Sequence, residues 1–259
     1  MEAAVDIVIF GDESLEVTVF PLLEKLELQP VFVYDPKREA AVEFFTRGPG
    51  RQYPAFPHPG RAGREAFVRQ MADLHVPFAL ICSYSRIIWK ELREVFPFGI
   101  ANIHGAKLPE YRGASVLQWA IINGETETAV TLHYIDDGVD TGPIIGQRPI
   151  PITDRDTSWT VRDRIIEETV VLLETYLPKL VRGPVPAEPQ DGSRAATWPR
   201  RHPEDSRIDW SWSDQKISDL TRAMVPPLPA AFYFDRDGVR RVIDRILTPA
   251  EVHELRSRL

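Results

Sequence analysis

The chain has 259 residues, a formal net charge of −7, 43% hydrophobic and 27% charged residues, an ordinary globular composition long enough to bury a substantial core. The acidic balance argues against a broad nucleic-acid footprint, which shows as a basic face, and no apolar run approaches a membrane span, so neither nucleic acid nor a membrane is an expected partner. One cysteine, Cys82, excludes a disulfide framework and fits a reducing cytoplasm.

The start, Met1-Glu2-Ala3-Ala4-Val5-Asp6, lacks the basic stretch of a signal peptide. Residues 6–10 (DIVIF) read as a buried first strand. A helix is predicted over 14–26 from the spacing of Leu15, Val19, Leu22, Leu23 and Leu26, with Pro21 predicting a kink. Residues 30–34 (PVFVY) form a second strand and 37–45 a short helix. Strand–helix–strand alternation means a parallel sheet with right-handed crossovers. No Gly-x-Gly-x-x-Gly follows either strand, which speaks against a dinucleotide site.

Residues 48–63 carry four prolines and four glycines and are expected to be a loop. Loops of that length in a compact domain are often functional. A helix is expected over 61–74, a strand over 78–82 with Cys82 as buried filler, a loop over 83–88 and a helix over 89–96. A strand ending at His104 leads into a loop over 105–113 that contains Lys107, Tyr111 and Arg112. A helix over 115–123 and strands over 128–135 and 144–152 come next. Thr157 or Ser158 can cap a long helix, whose core stripe is Val161, Ile165, Thr169, Leu172, Leu173, Tyr176 and Leu180. Gly183, Pro184, Pro186, Pro189 and Gly192 suggest a linker. Beyond it lie a helix with Ile217, Leu220 and Met224, a hairpin turning at Asp237-Gly238, and a last helix opened by the capping box Thr248-Pro249-Ala250-Glu251. The boundary is drawn at 182/183.

The polar residues Asn102, His104 and Asp140 stand where predicted strands end, the usual place for chemistry in an α/β sheet. An amide that donates to an oxyanion, an imidazole that moves a proton and a carboxylate that orients it make an acyl-transfer set. The six histidines and one cysteine show no zinc-type spacing, so no metal is expected.

Asn102-Ile103-His104, then Leu108-Pro109-Glu110-Tyr111-Arg112-Gly113, then Asp136-Asp137-Gly138-Val139-Asp140-Thr141-Gly142 resemble the signatures of formyltransferases that use N10-formyltetrahydrofolate. The resemblance covers roughly 78–180. It implies a Rossmann-like α/β formyltransferase fold with a mostly parallel sheet over 1–182, plus a linker and small C-terminal hairpin and helix subdomain over 183–259. It implies Asn102 as oxyanion donor, His104 as proton acceptor and Asp140 as its partner. It places Arg86, Ile87, Ile88, Asp136 and Gly138 at the folate, and Lys107, Tyr111 and Arg112 toward the acceptor.

Which amine is formylated is a separate question. Methionyl-tRNA formyltransferases share these motifs but continue into a further barrel, whereas only a short tail follows Trp210 here. The runs 123–128 and 200–205 look most like enzymes that formylate nucleotide-linked amino sugars for lipopolysaccharide and O-antigen synthesis. A 4-amino-4,6-dideoxyhexose, with GDP-perosamine in front, is the expected acceptor, and selectivity is expected in 48–63, the first two strand ends and the Arg112 region. A tRNA-directed enzyme, a hydrolase releasing formate and a non-catalytic folate- or nucleotide-binding module are the alternatives. Trp210, Trp212, Phe232, Tyr233 and Phe234 exceed what a short tail buries alone, so a homodimer is expected.

Overall fold

The computed structural model describes residues 5–258. Its chain divides into two compact units, each discontinuous in sequence: the described residues up to His104, Thr131–Arg148 and Ile166–Gln190 in the first, and Gly105–Val130, Pro149–Ile165 and the described residues from Asp191 onward in the second. The segment after the expected 182/183 boundary is therefore shared: its first residues pack with the first unit, and the rest with 105–130 and 149–165.

The strands β1 (Ile7–Gly11), β2 (Pro30–Tyr34), β3 (Ala55–Pro57), β4 (Ala79–Cys82) and β5 (Ile100–His104) are all parallel neighbours in the order β3-β2-β1-β4-β5. Every residue of β1, β2 and β4 is buried, which is why these strands read as continuous apolar runs rather than alternating ones. Two short helices, α1 (Leu15–Thr18) and α2 (Phe20–Lys25), replace the single expected one. The break falls just before Pro21, which lacks the N–H a helix interior needs and sits instead in the first turn of α2. The helices α3 (Glu39–Thr46) and α4 (Arg64–Asp73) match expectation closely, but α5 is a single turn, Lys90–Arg93. Its continuation tightens into bonds from Val95 to Leu92 and Phe96 to Arg93 before Pro97.

The expected loop 48–63 is more ordered than its composition suggests. Two tight turns bracket β3, which adds a parallel edge to β2. Pro54 and Pro57 are compatible with this only because β3 is an edge strand, where one side needs no donors.

The strand order reverses between β1 and β4, since the chain first moves out to β3 and then returns on the other side of β1. Loops after the carboxyl ends of these two strands therefore flank a topological switch point, where ligands collect in open α/β sheets. After β5 in the chain, the two-residue β6 (Arg112–Gly113) and helix α6 (Val116–Ile122) precede β7 (Glu127–Tyr134) and β8 (Ile144–Pro151). β7 runs antiparallel to β5, and β8 completes the seven-stranded sheet beyond it. The long helix α7 (Ser158–Leu180) buries Val161, Thr169, Leu172, Leu173, Leu177 and Leu180.

In the second unit, β9 (Thr197–Trp198) pairs with β6, and helix α8 (Asp214–Ala223) packs on α6 and on α9 (Pro249–Ser257). Trp198 stacks on Tyr111 with ring centroids 5.4 Å apart. The hairpin of β10 (Phe232–Phe234) and β11 (Arg240–Val242) turns through Gly238, whose φ of +76° suits glycine. Thr248 and Glu251 form the expected capping box at α9.

Candidate active site

The site is built on two neighbouring strands. Asn102 and His104 are two residues apart on β5 and so share a face. Antiparallel pairing sets Asn102 directly opposite His133 on β7. His133 is 1% exposed, His104 7% and the Asp140 side chain 14%.

The hydrogen bonds fix how His133 and Asn102 are oriented. His133 Nδ1 lies 2.8 Å from the Tyr134 carbonyl, which can only accept, so Nδ1 carries the proton. That leaves Nε2 with a lone pair, 3.2 Å from Nδ2 of Asn102, which donates to it. Burial holds the His133 imidazole below its ordinary pKa, so it is neutral near pH 7. One amide hydrogen of Asn102 is thus committed to His133.

Asp140 brings the two histidines together. Its Oδ2 lies 3.7 Å from His104 Nδ1 and its Oδ1 3.7 Å from His133 Nε2. Asp140 adopts a left-handed backbone, with φ of +53°, which aspartate tolerates better than most residues. The loop that carries it is tied to itself: Asp136 Oδ1 accepts from Gly138 N at 3.0 Å and from the Thr141 hydroxyl at 2.5 Å. Gly142 passes so close to β7 that a Cβ there would sit 1.8 Å from the Tyr134 carbonyl oxygen. Arg93 holds the loop from below, donating to the Asp136 carbonyl at 2.8 Å and to the Asp137 carboxylate. The Asp-Asp-Gly-Val-Asp-Thr-Gly run therefore shapes a turn that aims one carboxylate.

The loop 83–88 leaves β4 at the switch point. Arg86 donates to Asp35 at 3.0 Å and to the Pro59 carbonyl at 3.2 Å, so its guanidinium ties this loop to the ends of β2 and β3. Burial alone would raise the Asp35 pKa, but the Lys37 N–H and Arg86 together hold it below the usual value. Ile88 is buried in the core, whereas Ile87 is 84% exposed. Beneath the loop, the fully buried His58 contacts the Tyr84 hydroxyl and packs edge-on to Trp89. Desolvation, helped by Arg86, lowers the His58 pKa to about 4.

Lys107, Tyr111 and Arg112 belong to the second unit. Lys107 pairs with Glu127 at 3.0 Å; the Tyr111 hydroxyl donates to Glu125 at 2.8 Å and accepts from Asn123 at 3.3 Å. Arg112 takes part in the β6–β9 pairing. Asn102, His104 and Asp140, the residues expected to be catalytic, thus lie together in the first unit with those expected at the folate. No sequence motif singles out His133. The available signal was that Thr131 and His133, polar residues, alternate with Val130, Leu132 and Tyr134 on a strand buried on both faces. Among the described residues no group of three or more His, Cys, Asp or Glu is placed to hold a metal ion, and no helix is long and apolar enough to cross a membrane.

The profile of the formyl transferase family matches residues 25–176. Methionyl-tRNA formyltransferase of Thermodesulfovibrio yellowstonii is 35% identical over 185 residues, 71% of this chain and 59% of that protein. The chain therefore spans a little over half the length of that curated relative. Among solved structures, a sugar N-formyltransferase from a Shewanella species superposes with a TM-score of 0.75 at 18% identity, over 93% of this chain and 97% of that one. The N-formyltransferase of Helicobacter canadensis, in complex with folinic acid and dTDP-3-aminofucose, gives 0.69 at 18% identity over 85% and 81%.

Proposed function

The chain is a member of the formyl transferase family, and we propose that it transfers the formyl group of N10-formyltetrahydrofolate to the amine of a nucleotide-linked amino sugar. The observation that carries the chemistry is the packing of Asn102, His104, His133 and Asp140 around one point at the end of β5. The folate supplies an activated formyl carbon, whose bond to folate nitrogen breaks as the new amide bond forms. Asn102, with one amide hydrogen held by His133, gives the other to the formyl oxygen as negative charge collects there, an effect worth about 3 kcal/mol in comparable sites. His104 takes the proton that the attacking amine must lose and returns one to the departing nitrogen. Asp140 steadies His104 while it is charged. The loop 83–88, with Ile87 exposed beside irregular backbone at the switch point, suits a flat heteroaromatic that wants apolar cover and edge hydrogen bonds.

The sugar acceptor is supported by the fold shared with the Shewanella sugar N-formyltransferase across nearly all of both chains, and by the nucleotide sugar bound to the Helicobacter enzyme. A 4-amino-4,6-dideoxyhexose, with GDP-perosamine in front, is the acceptor we assign. The same reading carries selectivity in 48–63, the ends of β1 and β2 and the Arg112 region, and a homodimer built through the hairpin, where Phe234, Val239 and Val242 are exposed. A second reading, a methionyl-tRNA substrate, is favoured by the identity to the Thermodesulfovibrio enzyme. The deciding experiment incubates the protein with N10-formyltetrahydrofolate and GDP-, dTDP- and UDP-linked 4-amino-4,6-dideoxyhexoses, with methionyl-tRNA and water alone as parallel arms. A formamide product detected by mass on one sugar nucleotide is the expected result. Formylation of the tRNA alone, or release of formate alone, would overturn the sugar reading.

A further inference from the structure

The proline- and glycine-rich stretch after α7 has the composition of a linker but not the behaviour of one. Exposure alternates residue by residue along 183–188, as in an extended strand. Three fastenings hold this segment to the first unit. The Tyr134 hydroxyl accepts from Val185 N at 2.9 Å. Ile144 and Glu188 exchange both backbone hydrogen bonds, each 2.8 Å long. Gln190 then ends the run, its Nε2 donating to the carbonyls of Asp140 and of Gly142, each at 2.8 Å. Because both partners are carbonyls, the side chain must present its amide nitrogen, and both of its hydrogens are used.

The two carbonyls that Gln190 bridges flank the turn that gives Asp140 its left-handed backbone. A non-glycine residue in that region persists where its surroundings over-determine it. The glycine at 142 makes the approach to β7 possible, and the Asp136 side chain closes the front of the loop. Neither of these reaches the Asp140 carbonyl, whereas Gln190 does.

We propose that the segment 185–190 is a strap for the catalytic loop and that Gln190 is a positioning residue, which aims the Asp140 carboxylate between His104 and His133 by clamping the carbonyls of Asp140 and Gly142. Gln190 lies outside the family match over 25–176. The inference rests on the acyl-transfer reading for its effect on turnover, but its structural content concerns the two imidazoles and needs no substrate.

The test compares wild type with Gln190→Ala and Gln190→Glu, the second nearly isosteric but placing an acceptor against two acceptors. In protein labelled with nitrogen-15 and free of any ligand, the ring-nitrogen resonances of both His104 and His133 shift in each variant. In turnover, kcat falls on the order of tenfold to a hundredfold, as for a catalytic group displaced by a fraction of an ångström to an ångström. KM for the formyl donor and for the amine stays within about twofold. In an Asp140→Asn background, Gln190→Ala costs less than about a further twofold, because the two act as one unit. Histidine resonances that coincide with those of wild type would overturn the strap, as would losses that multiply in the double variant. If the wild-type protein transfers no formyl group to any amine, the proposed function fails, while the histidine resonances still decide the role of Gln190. Should Gln190→Ala fail to fold, the resonances and kcat of Gln190→Glu decide it alone.

Discussion

Replacing Asp140 by asparagine removes one charge and little else. The two side chains are nearly the same size, and asparagine tolerates the left-handed backbone at φ +53° as aspartate does. The loop should therefore keep its shape, held by Gln190, Asp136 and Arg93. What disappears is the carboxylate 3.7 Å from His104 Nδ1. At that separation, with an effective dielectric constant of about 20, a full ion pair is worth about 4.5 kcal/mol. That figure is a ceiling, because the amide retains a dipole and the surroundings relax. At about 1.4 kcal/mol per factor of ten, the ceiling is roughly a thousandfold and the expected loss in kcat is about a hundredfold. In the proposed mechanism the interaction matters most when His104 holds the amine proton, so the loss should fall on kcat and leave dissociation constants for donor and acceptor nearly unchanged. His104→Asn should lose a comparable factor, and the double variant should cost far less than the product of the two. Single-turnover transfer from labelled formylfolate gives the rate, and equilibrium titration of each substrate gives the binding. A variant with near-full kcat and weakened sugar binding would make Asp140 a substrate ligand and refute the reasoning.

Gly142→Ala should be destabilised by at least about 2 kcal/mol and nearly inactive, since its Cβ would lie 1.8 Å from the Tyr134 carbonyl oxygen and backbone of the Asp140 loop or of the end of β7 must move; unchanged thermal unfolding and turnover would contradict that geometry. The His58 pKa of about 4 lies below its unfolded value near 6.5. The unfolded chain therefore binds the proton first, and stability should fall as pH drops from about 6.5 to about 4. In His58→Phe that part of the slope should vanish from denaturant titrations taken across this window, even though loss of the Tyr84 contact lowers stability by roughly 1 to 3 kcal/mol. Cys82 is buried and its thiol is pushed up to about 12 by desolvation. It should resist thiol reagents at pH 8 in the native protein and react at the rate of unfolding, so fast modification of folded protein would show that β4 opens locally.

Several features of this protein can be read from the chain without its fold. The apolar runs of β1, β2 and β4 and most of the α7 stripe, though Ile165 and Tyr176 are only half-buried, declare themselves because burial leaves a trace in sequence. The Thr248–Glu251 capping box and the Asp237-Gly238 turn do so because their causes lie within a few residues. Asn102, His104 and Asp140 were legible as a trio through their motifs. What depended on tertiary structure is whatever joins residues far apart in the chain. The order within 48–63 arises from pairing of β3 with β2, a partner about twenty residues earlier that no local pattern names. His133 becomes a member of the site only when antiparallel register sets it across from Asn102. The segment 183–190 has the three prolines and the glycine of a free linker, and only its bonds to Tyr134, Ile144 and the Asp140 loop turn it into a strap. Composition records how stiff a segment is on its own, whereas hydrogen bonds to a distant strand depend on where the rest of the chain has put that strand.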